Sequence, residues 1–394
     1  GTVTEEALLD EHKDNLLVCI HNEDDVYGLA ALNITSGRFN VSQIKHKSQL
    51  YAELERLQPV EILLSEDNAL YDEFKSTLNS HTSLRQQPPW WFDLDSANRL
   101  LNTQFGTRDL SGFGCEDLHS AVMAAGCLLQ YTQDTQRAAL PHITGLHVEN
   151  TDNVIVLDAA SRRNLEIEVN LSGGTENTLA SVIDNTTTSM GSRCLRRWLH
   201  SPLRDQHLLG QRHEAIAELL NIQLTPDLQF CLNSIGDIER IMSRLALLSA
   251  RPRDLETLKN SLAALPELQG FLQQCHSPFL VELSTSITTH PHIVDLLTSA
   301  ICENPPVLTR DGGFLAAGFD KELDELRALS KNANEFLEAL EIREREATGI
   351  KTLKVNYNRV HGYYLEIRRL QSSDFSLTPH YTRKQTLKTA ERFN

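Results

Sequence analysis

The segment LLVCIHNEDDVYGLAALNITSGRFNVSQI, residues 16–44, contains three short stretches that are rich in β-forming residues. They are Leu16–Ile20, Val26–Ile34 and Arg38–Ile44. The sequence Thr35-Ser36-Gly37 has the composition of a tight turn between the last two. We therefore predict that the chain begins with an antiparallel group of strands.

Helices and one further strand complete the first predicted domain. Apolar residues recur with helical spacing in Ser48–Gln58, and Val60–Leu64 is typical of a buried strand. Strands that are followed by alternating helices and strands predict a compact α/β domain of about 130 residues. Its other predicted helices are Glu66–Asn79, Leu94–Gln104 and Leu118–Gln133, with a break at Pro88-Pro89.

The pattern changes after Leu140-Pro141. A short extended segment is predicted at Asn153–Leu157, and helical periodicity then continues to Cys302. Because proline interrupts helices or begins them, an all-α domain of short helices is predicted. Its predicted breaks lie at Ser201-Pro202, Thr225-Pro226, Arg251-Pro252, Leu265-Pro266 and His290-Pro291.

One long helix is predicted from Asp320 to about Thr348. At about 1.5 Å per residue it would span roughly 43 Å, longer than a typical domain helix. Its narrow apolar stripe predicts an arm whose apolar side is partly exposed. The stripe consists of Leu323, Leu326, Leu329, Ala333, Phe336, Leu337 and Leu340.

A β-hairpin is predicted at the far end of this arm. Leu353, Val355 and Tyr357 alternate with Lys354 and Asn356, which is a period of two. Residues 363–368 alternate in the same way after His361-Gly362. The last segment, His380–Asn394, is predicted to return to helix.

Charge separates this last region from the rest of the chain. The whole sequence carries a net charge of −16, but residues 351–394 contain nine Lys or Arg and three Asp or Glu, a net of +6. A local field extends over roughly 8–10 Å, so a basic tip can attract phosphate although the body repels it. Charge alone is equally typical of a solvated surface. Asn, Gln and Tyr beside these cations favour DNA backbone contact. We predict phosphate contacts from Lys351, Lys354, Asn356, Arg359, Arg383, Lys384 and Lys388.

Signatures of catalysis or cofactor binding are missing from the sequence. No Gly-Lys dipeptide occurs, so a P-loop is excluded and neither ATP binding nor ATP hydrolysis is expected. The seven cysteines form no CxxC pair, and His200, His207 and His213 lack the i, i+4 spacing of a helical metal site. We expect no catalytic residue, no metal and no cofactor. The N-terminus lacks the features of a signal peptide, and no apolar stretch is long enough for a membrane span.

A nuclease is the alternative that requires an answer. Residues 29–37 resemble the strand of RNase H-like nucleases that carries a metal-binding Asp, but the corresponding position is Asn33. Two-metal chemistry requires several clustered carboxylates, and the nearby Glu61 and Glu66 do not complete such a set. The other alternative is a structural arm that binds a protein partner and never contacts DNA.

Several separate motifs resemble the bacterial MutS family of DNA mismatch-repair proteins. The resemblance extends through the whole chain, and its motifs are specific. They are LNTQFGTRDL at 101–110, AAGCLLQY at 124–131, RRNLEI at 162–167, MGSRCLRRWL at 190–199, ARPRDL at 250–255, VHGYY at 360–364 and RKQTLKTAER at 383–392.

The resemblance implies a multidomain α and α/β architecture. Residues 1–132 would form an RNase H-like connector that docks MutL, 133–343 the helical core with its lever, and 344–394 an incomplete, β-rich clamp around duplex DNA. Neither end of the chain is typical of a natural terminus. The mismatch-reading domain and the ATPase domain, with its ATP, Mg²⁺ and homodimer contacts, are therefore expected outside this sequence. Asn33 departs from the Asp that related sequences often have. The implied location is the cytoplasm.

Overall fold

The computed structural model describes residues 13–23, 25–77, 82–137, 139–149, 153–358, 362–368, 381–386, 388 and 390–393. The side chains of 331–334, 358 and 385 lie outside this description. The chain divides into two compact units, unit 1 up to Phe314 and unit 2 from Leu315 onward. No helix among the described residues has the length and apolar character that crossing a membrane requires.

A six-stranded mixed sheet forms the first part of unit 1. Its order is β5-β4-β1-β2-β3-β6, in which β1, β2 and β3 are antiparallel and β4, β5 and β6 join in parallel. The predicted first three strands are confirmed, with β1 extended by three residues. The strands are β1 (Leu16–Glu23), β2 (Val26–Asn33), β3 (Arg38–Ile44), β4 (Glu61–Ser65), β5 (Ser83–Gln87) and β6 (His147–Val148).

Helices cover both faces of this sheet, because its strands are apolar on both sides. Helices α1 (Lys47–Leu57) and α2 (Leu70–Thr77) pack on one face, and α3 (Leu94–Phe105) and α4 (His119–Gln136) on the other. Helix α4 approaches β2 closely: a Cβ added to Gly28 would lie 2.0 Å from the carbonyl carbon of Ser120. Glycine is therefore required at that point of the sheet.

The remainder of unit 1 is a set of helices, as predicted. Several of these helices begin at a predicted break, since proline fits the first helical turn. The helices are α5 (Ala159–Asn164), α6 (Leu179–Ile183), α7 (Ser189–His200), α8 (Gln206–Asn221), α9 (Thr225–Leu232), α10 (Ile238–Ala246), α11 (Pro252–Leu272), α12 (Pro278–Ser286) and α13 (Pro291–Ala300).

The predicted break at Leu265-Pro266 is wrong. Pro266 lies inside α11, which continues to Leu272. A proline in a helix removes one hydrogen bond and crowds the preceding turn. Apolar residues are nevertheless buried on both sides of it, including Leu258, Leu262 and Leu272, so tertiary packing maintains the helix.

Unit 2 consists of one long helix and a four-stranded antiparallel sheet. The predicted helix is confirmed as α14 (Lys321–Thr348), which Asp320 caps at the start and Gly349, in the left-handed conformation, caps at the end. Leu326, Leu329 and Phe336 on its stripe are more than half exposed. The sheet has the order β7-β8-β10-β9, with β7 (Lys354–Asn358), β8 (Gly362–Arg368), β9 (Arg383–Thr386) and β10 (Ala390–Phe393).

The predicted helix at His380–Asn394 is wrong. The described residues of this segment form β9 and β10, and β10 pairs with β8 from Ala390↔Arg368 to Phe393↔Leu365. The open edge of β8 offers unpaired backbone groups, and Phe393 adds a fully buried ring to the core of the unit. These two gains outweigh the weak helical pattern of a polar segment.

Smaller differences between prediction and structure concern the edges of the first sheet and the segments that follow it. Strand β5 was not predicted because Ser83–Gln87 lacks the β-branched residues of a typical strand. Strand β6 has only two residues. The predicted extended segment 153–157 contains a single bridge, Val154↔Leu203. The predicted boundary between 132 and 133 falls inside α4, and the three-domain division stays a prediction.

Candidate nucleic-acid interface

The sheet of unit 2 has one apolar face and one polar face. The predicted alternation along β7 and β8 is confirmed: Leu365 and Ile367 are buried, whereas Lys354 and Arg368 are exposed. Because registered residues on neighbouring strands share a face, the pairings define a polar face across three strands. The polar face consists of Lys354, Asn356, Tyr364, Glu366, Arg368 and Arg392.

The apolar face forms a small core next to the end of α14. Leu353, Leu365, Ile367 and Phe393 are buried there together with Ile350. Two polar contacts join the helix to the sheet: Arg345 Nε donates to the Leu353 carbonyl at 2.8 Å, and Val355 N–H donates to Glu341 Oε2 at 2.9 Å. The polar face is therefore carried on a sheet whose other side is anchored.

Arg392 contacts two other side chains of the polar face. Its Nε lies 3.0 Å from Glu366 Oε2, and its guanidinium carbon lies 4.4 Å from the centre of the Tyr364 ring. The ion pair and the stacking together hold the Arg392 guanidinium on the polar face. Lys354 pairs in register with Glu366 and is exposed. The face contains three cations and one carboxylate, a net charge of +2.

The structure brings together only part of the predicted phosphate-contacting set. Lys354 and Asn356 lie on the polar face. Lys351 is exposed in the turn before β7, and Lys384 and Lys388 are exposed in β9 and after it. Arg359 lies outside the described residues. All seven contacts stay predictions.

Arg383 lies on the opposite side of the sheet from Lys354. It pairs in register with Phe393, and its Nη1 lies 3.3 Å from Oε1 of Glu391, whose side chain is buried. An arginine that already neutralises a buried carboxylate offers less positive charge to a phosphate. On the same side, the hydroxyl of Tyr381 donates to Glu344, and burial together with this bond raises the pKa of Tyr381 to about 12.

Arg368 and Arg392 were not in the predicted set, although both are on the polar face. The alternation of Tyr364, Glu366 and Arg368 along β8 could have placed Arg368 on the polar face. Arg392 was missed because its segment was predicted as helix, and only the pairing of β10 with β8 places it beside Glu366.

The residues considered for a nuclease occupy structural positions. Asn33 is buried, its Nδ2 donates to Asp14 Oδ1 at 2.8 Å, and its Oδ1 accepts from Thr35. Glu61 is buried and accepts from Arg85 and Tyr131. Among the residues that the structure describes, no group of three or more His, Cys, Asp or Glu could hold a metal ion.

Two protein-family models match the sequence. A model described as MutS domain II matches residues 15–144, which contain the first sheet and its helices. A model described as MutS domain III matches residues 160–373, more than half of the chain, which contain α5 to α14 and the β7–β8 pair. The chain therefore belongs to the MutS family of DNA mismatch-repair proteins and carries its domains II and III.

Proposed function

We propose that this chain is the scaffold section of a mismatch-repair recognition protein and that it contacts duplex DNA through the sheet of unit 2. The contact would be electrostatic, weak and independent of base sequence. One observation supports this proposal most: Lys354, Arg368 and Arg392 share one face of a sheet that an apolar core anchors on its other side.

The secondary structure of this face favours backbone contact over base reading. Sequence is read mainly by side chains that enter the major groove, most often from a helix. The described residues after α14 form strands and turns. Cations together with Asn356 on the same face suit phosphate and sugar contacts, which position a protein without specifying sequence.

Domain II is proposed to be an RNase H-like connector that docks MutL. Three consecutive antiparallel strands followed by two parallel additions support the fold assignment. Because a fold does not carry catalysis when its carboxylate set is missing, the proposed role of this domain is docking. MutL docking and homodimer formation by the complete protein rest on family membership, as does a cytoplasmic location.

No catalytic activity is proposed for the chain. Its sequence lacks the glycine-rich loop and lysine that cradle nucleotide phosphates. ATP and Mg²⁺ would be bound by a separate ATPase domain of the complete protein. Incubation of the purified chain with radiolabelled ATP and duplex DNA should therefore release no phosphate above the blank, and turnover would contradict this proposal.

A salt titration of duplex binding tests the proposed contact. Each neutralised phosphate contributes about −0.9 to the slope of log K against log salt. If Lys354, Arg359, Arg383, Lys384 and Lys388 each contacted one phosphate, the slope would be about −4 to −5. Arg383 is paired with Glu391, but Arg368 lies on the polar face in its place, so we expect a slope of about −4 to −5. Fluorescence anisotropy with a labelled 20-base-pair duplex measures it.

Matched variants locate the contact. Lys354→Ala should reduce the magnitude of the slope by roughly one unit, whereas Arg383→Ala should change it less. Lys75→Ala is the control, since it removes one exposed positive charge from α2 in unit 1. If Lys75→Ala and Lys354→Ala weaken binding equally, the effect is one of net charge and the polar face is not the interface.

A further inference from the structure

A cavity of about 180 Å³ lies in unit 1, between the first sheet and α7. Strands β1, β2 and β3, the end of α1 and the side chains of α7 form its walls. One water molecule requires roughly 10–15 Å³, so the cavity can hold a small solute with its hydration. It lies in the acidic part of the chain, where residues 1–350 carry a net charge of −22.

The walls of this cavity are nevertheless cationic. Six Lys or Arg side chains and three carboxylates line it. Two of the cations have carboxylate partners of their own: Arg193 pairs with Asp237 and Glu239 outside the cavity, and Arg56 pairs with Glu149 of the lining and with Glu53 outside it. Four cations and two carboxylates then remain: Lys13, Arg38, Arg196 and Arg197 with Asp14 and Glu168.

Each of these two carboxylates is shared among several cations. Asp14 Oδ2 lies 2.7 Å from Arg38 and 3.1 Å from Arg197. Glu168 lies 3.4 Å from Lys13, 3.2 Å from Arg196 and 2.9 Å from His200. Burial alone would raise the pKa of Glu168, but its hydrogen bond with His200 and the charges of Lys13 and Arg196 lower it to about 2. Arg196 also pairs with Asp184.

Hydrogen-bond donors that lack a protein partner within the described structure line this cavity. A guanidinium has five N–H donors, yet among the described side chains Arg38 bonds only Asp14, through Nη2, and Arg197 bonds only Asp14, through Nη1. Asn15 also lines the cavity, and its buried Nδ2 has no hydrogen-bond partner in the described part of the chain. A buried donor without a partner is costly, so an acceptor is expected there.

We propose that this cavity binds a small oxyanion of the phosphate class, held by the guanidinium groups of Arg38 and Arg197 and by the amide of Asn15. A tetrahedral oxyanion supplies several acceptors in the fork geometry that arginine matches. The bound ion would link the β-sheet to α7, because Arg38 belongs to β3 and Arg197 to α7.

Thermal unfolding of the 394-residue chain with inorganic phosphate and with pyrophosphate tests this site. A ligand that binds only the folded state raises its stability by mass action. At tenfold excess over Kd we expect the Tm of unit 1 to rise by about 2–4 °C. Sodium chloride at matched ionic strength is the control. An equal rise with chloride overturns the proposal.

Two variants test whether the stabilisation by phosphate arises at this cavity. Arg38→Gln and Arg197→Gln each leave Asp14 paired with the other arginine, so folding is expected to persist, and circular dichroism checks this. Each should weaken phosphate binding at least tenfold by calorimetry. Arg310→Gln is the matched control, because Arg310 is highly exposed and lies outside the cavity. Unchanged phosphate affinity in both folded cavity variants would overturn the proposal.

Dimethyl phosphate distinguishes the two possible sources of the bound phosphate, a nucleic-acid backbone and a free ion. It imitates the phosphodiester of a nucleic-acid backbone and carries a single charge. Stabilisation by dimethyl phosphate as well as phosphate assigns the site to a backbone phosphate, and stabilisation by the inorganic ions alone assigns it to a free ion. Either result supports a phosphate site, whereas stabilisation by neither overturns it.

Discussion

Replacing Asp237 by Asn should destabilise unit 1 by breaking the pairing of Arg193. The Arg193 side chain is 2% exposed, and its Nη1 and Nη2 donate to the two carboxylate oxygens of Asp237 at 2.7 and 2.8 Å. This bidentate pair connects α7 with the start of α10, where Asp237 is the N-cap. Removing its negative charge takes one carboxylate from a buried guanidinium that also pairs with Glu239.

The expected loss of stability follows from how deeply the Arg193–Asp237 pair is buried. Breaking a wholly buried pair costs about 3–5 kcal/mol. Here Asp237 is 16% exposed and Glu239 continues to pair with Arg193, so we expect about 2–3 kcal/mol for Asp237→Asn. That corresponds to a Tm lower by about 4–8 °C, measured by differential scanning calorimetry. Asp295→Asn is the control, because Asp295 is exposed on α13 and its loss should change stability by less than about 0.5 kcal/mol.

The stability difference between the parent and Asp237→Asn should change with pH in a defined direction. Burial raises the pKa of Asp237, but its hydrogen bonds and ion pair with Arg193 outweigh burial, so the pKa is lowered overall. A lowered pKa stabilises the folded state above the unfolded value of about 3.9, and this stabilisation is lost as the pH falls through the folded value. The parent and Asp237→Asn should therefore differ equally at pH 6 and pH 8 and converge below pH of about 4. Equal stability at pH 7 would refute the reasoning.

Three further substitutions test local packing, two of them in the first sheet and one in α11. Gly28→Ala should cost about 3 kcal/mol, because the added Cβ would lie 2.0 Å from the Ser120 carbonyl carbon, whereas Gly270→Ala, with nothing within 4 Å, should stabilise α11 by roughly 0.5–1 kcal/mol. Calorimetry of both variants measures this contrast, and equal effects would contradict it. Asn33→Asp should cost about 1–3 kcal/mol, because it replaces the donor to Asp14 by a second carboxylate. Urea unfolding tests it, and a variant as stable as the parent would show that the Asn33–Asp14 bond is unimportant.

The sequence predicted elements whose signal is local. Strands β1 to β3 have β-forming residues and a turn between β2 and β3, and α14 has a capping Asp320 and a terminal Gly349 within its own pattern. Strands β9 and β10 could not be predicted in this way. Their stability depends on the edge of β8 and on the buried ring of Phe393, both distant in sequence. Pro266 shows the same limit, because contacts elsewhere in unit 1 maintain its helix.

The candidate interface, too, could be predicted only where its signal was local in the sequence. The alternation along β7 predicted that Lys354 and Asn356 share a face, since a period of two is a local property. Composition alone could not separate Arg383 from that face, because its position depends on the register between β9 and β10 and on the ion pair with Glu391. The cavity in unit 1 could not be predicted from the sequence either, because its arginines come from three separate elements, β3, α1 and α7.

The affinity of the chain for a perfect duplex should be compared with its affinity for the same duplex carrying one G·T mismatch, because only base reading would separate the two. We expect measurable binding at low salt, equal for the two duplexes within about twofold and weakened to the same degree by Lys354→Ala. No binding at low salt would contradict the proposed contact. A tenfold preference for the mismatch would show that the chain contains a base-reading element and that its contact with DNA is more than electrostatic.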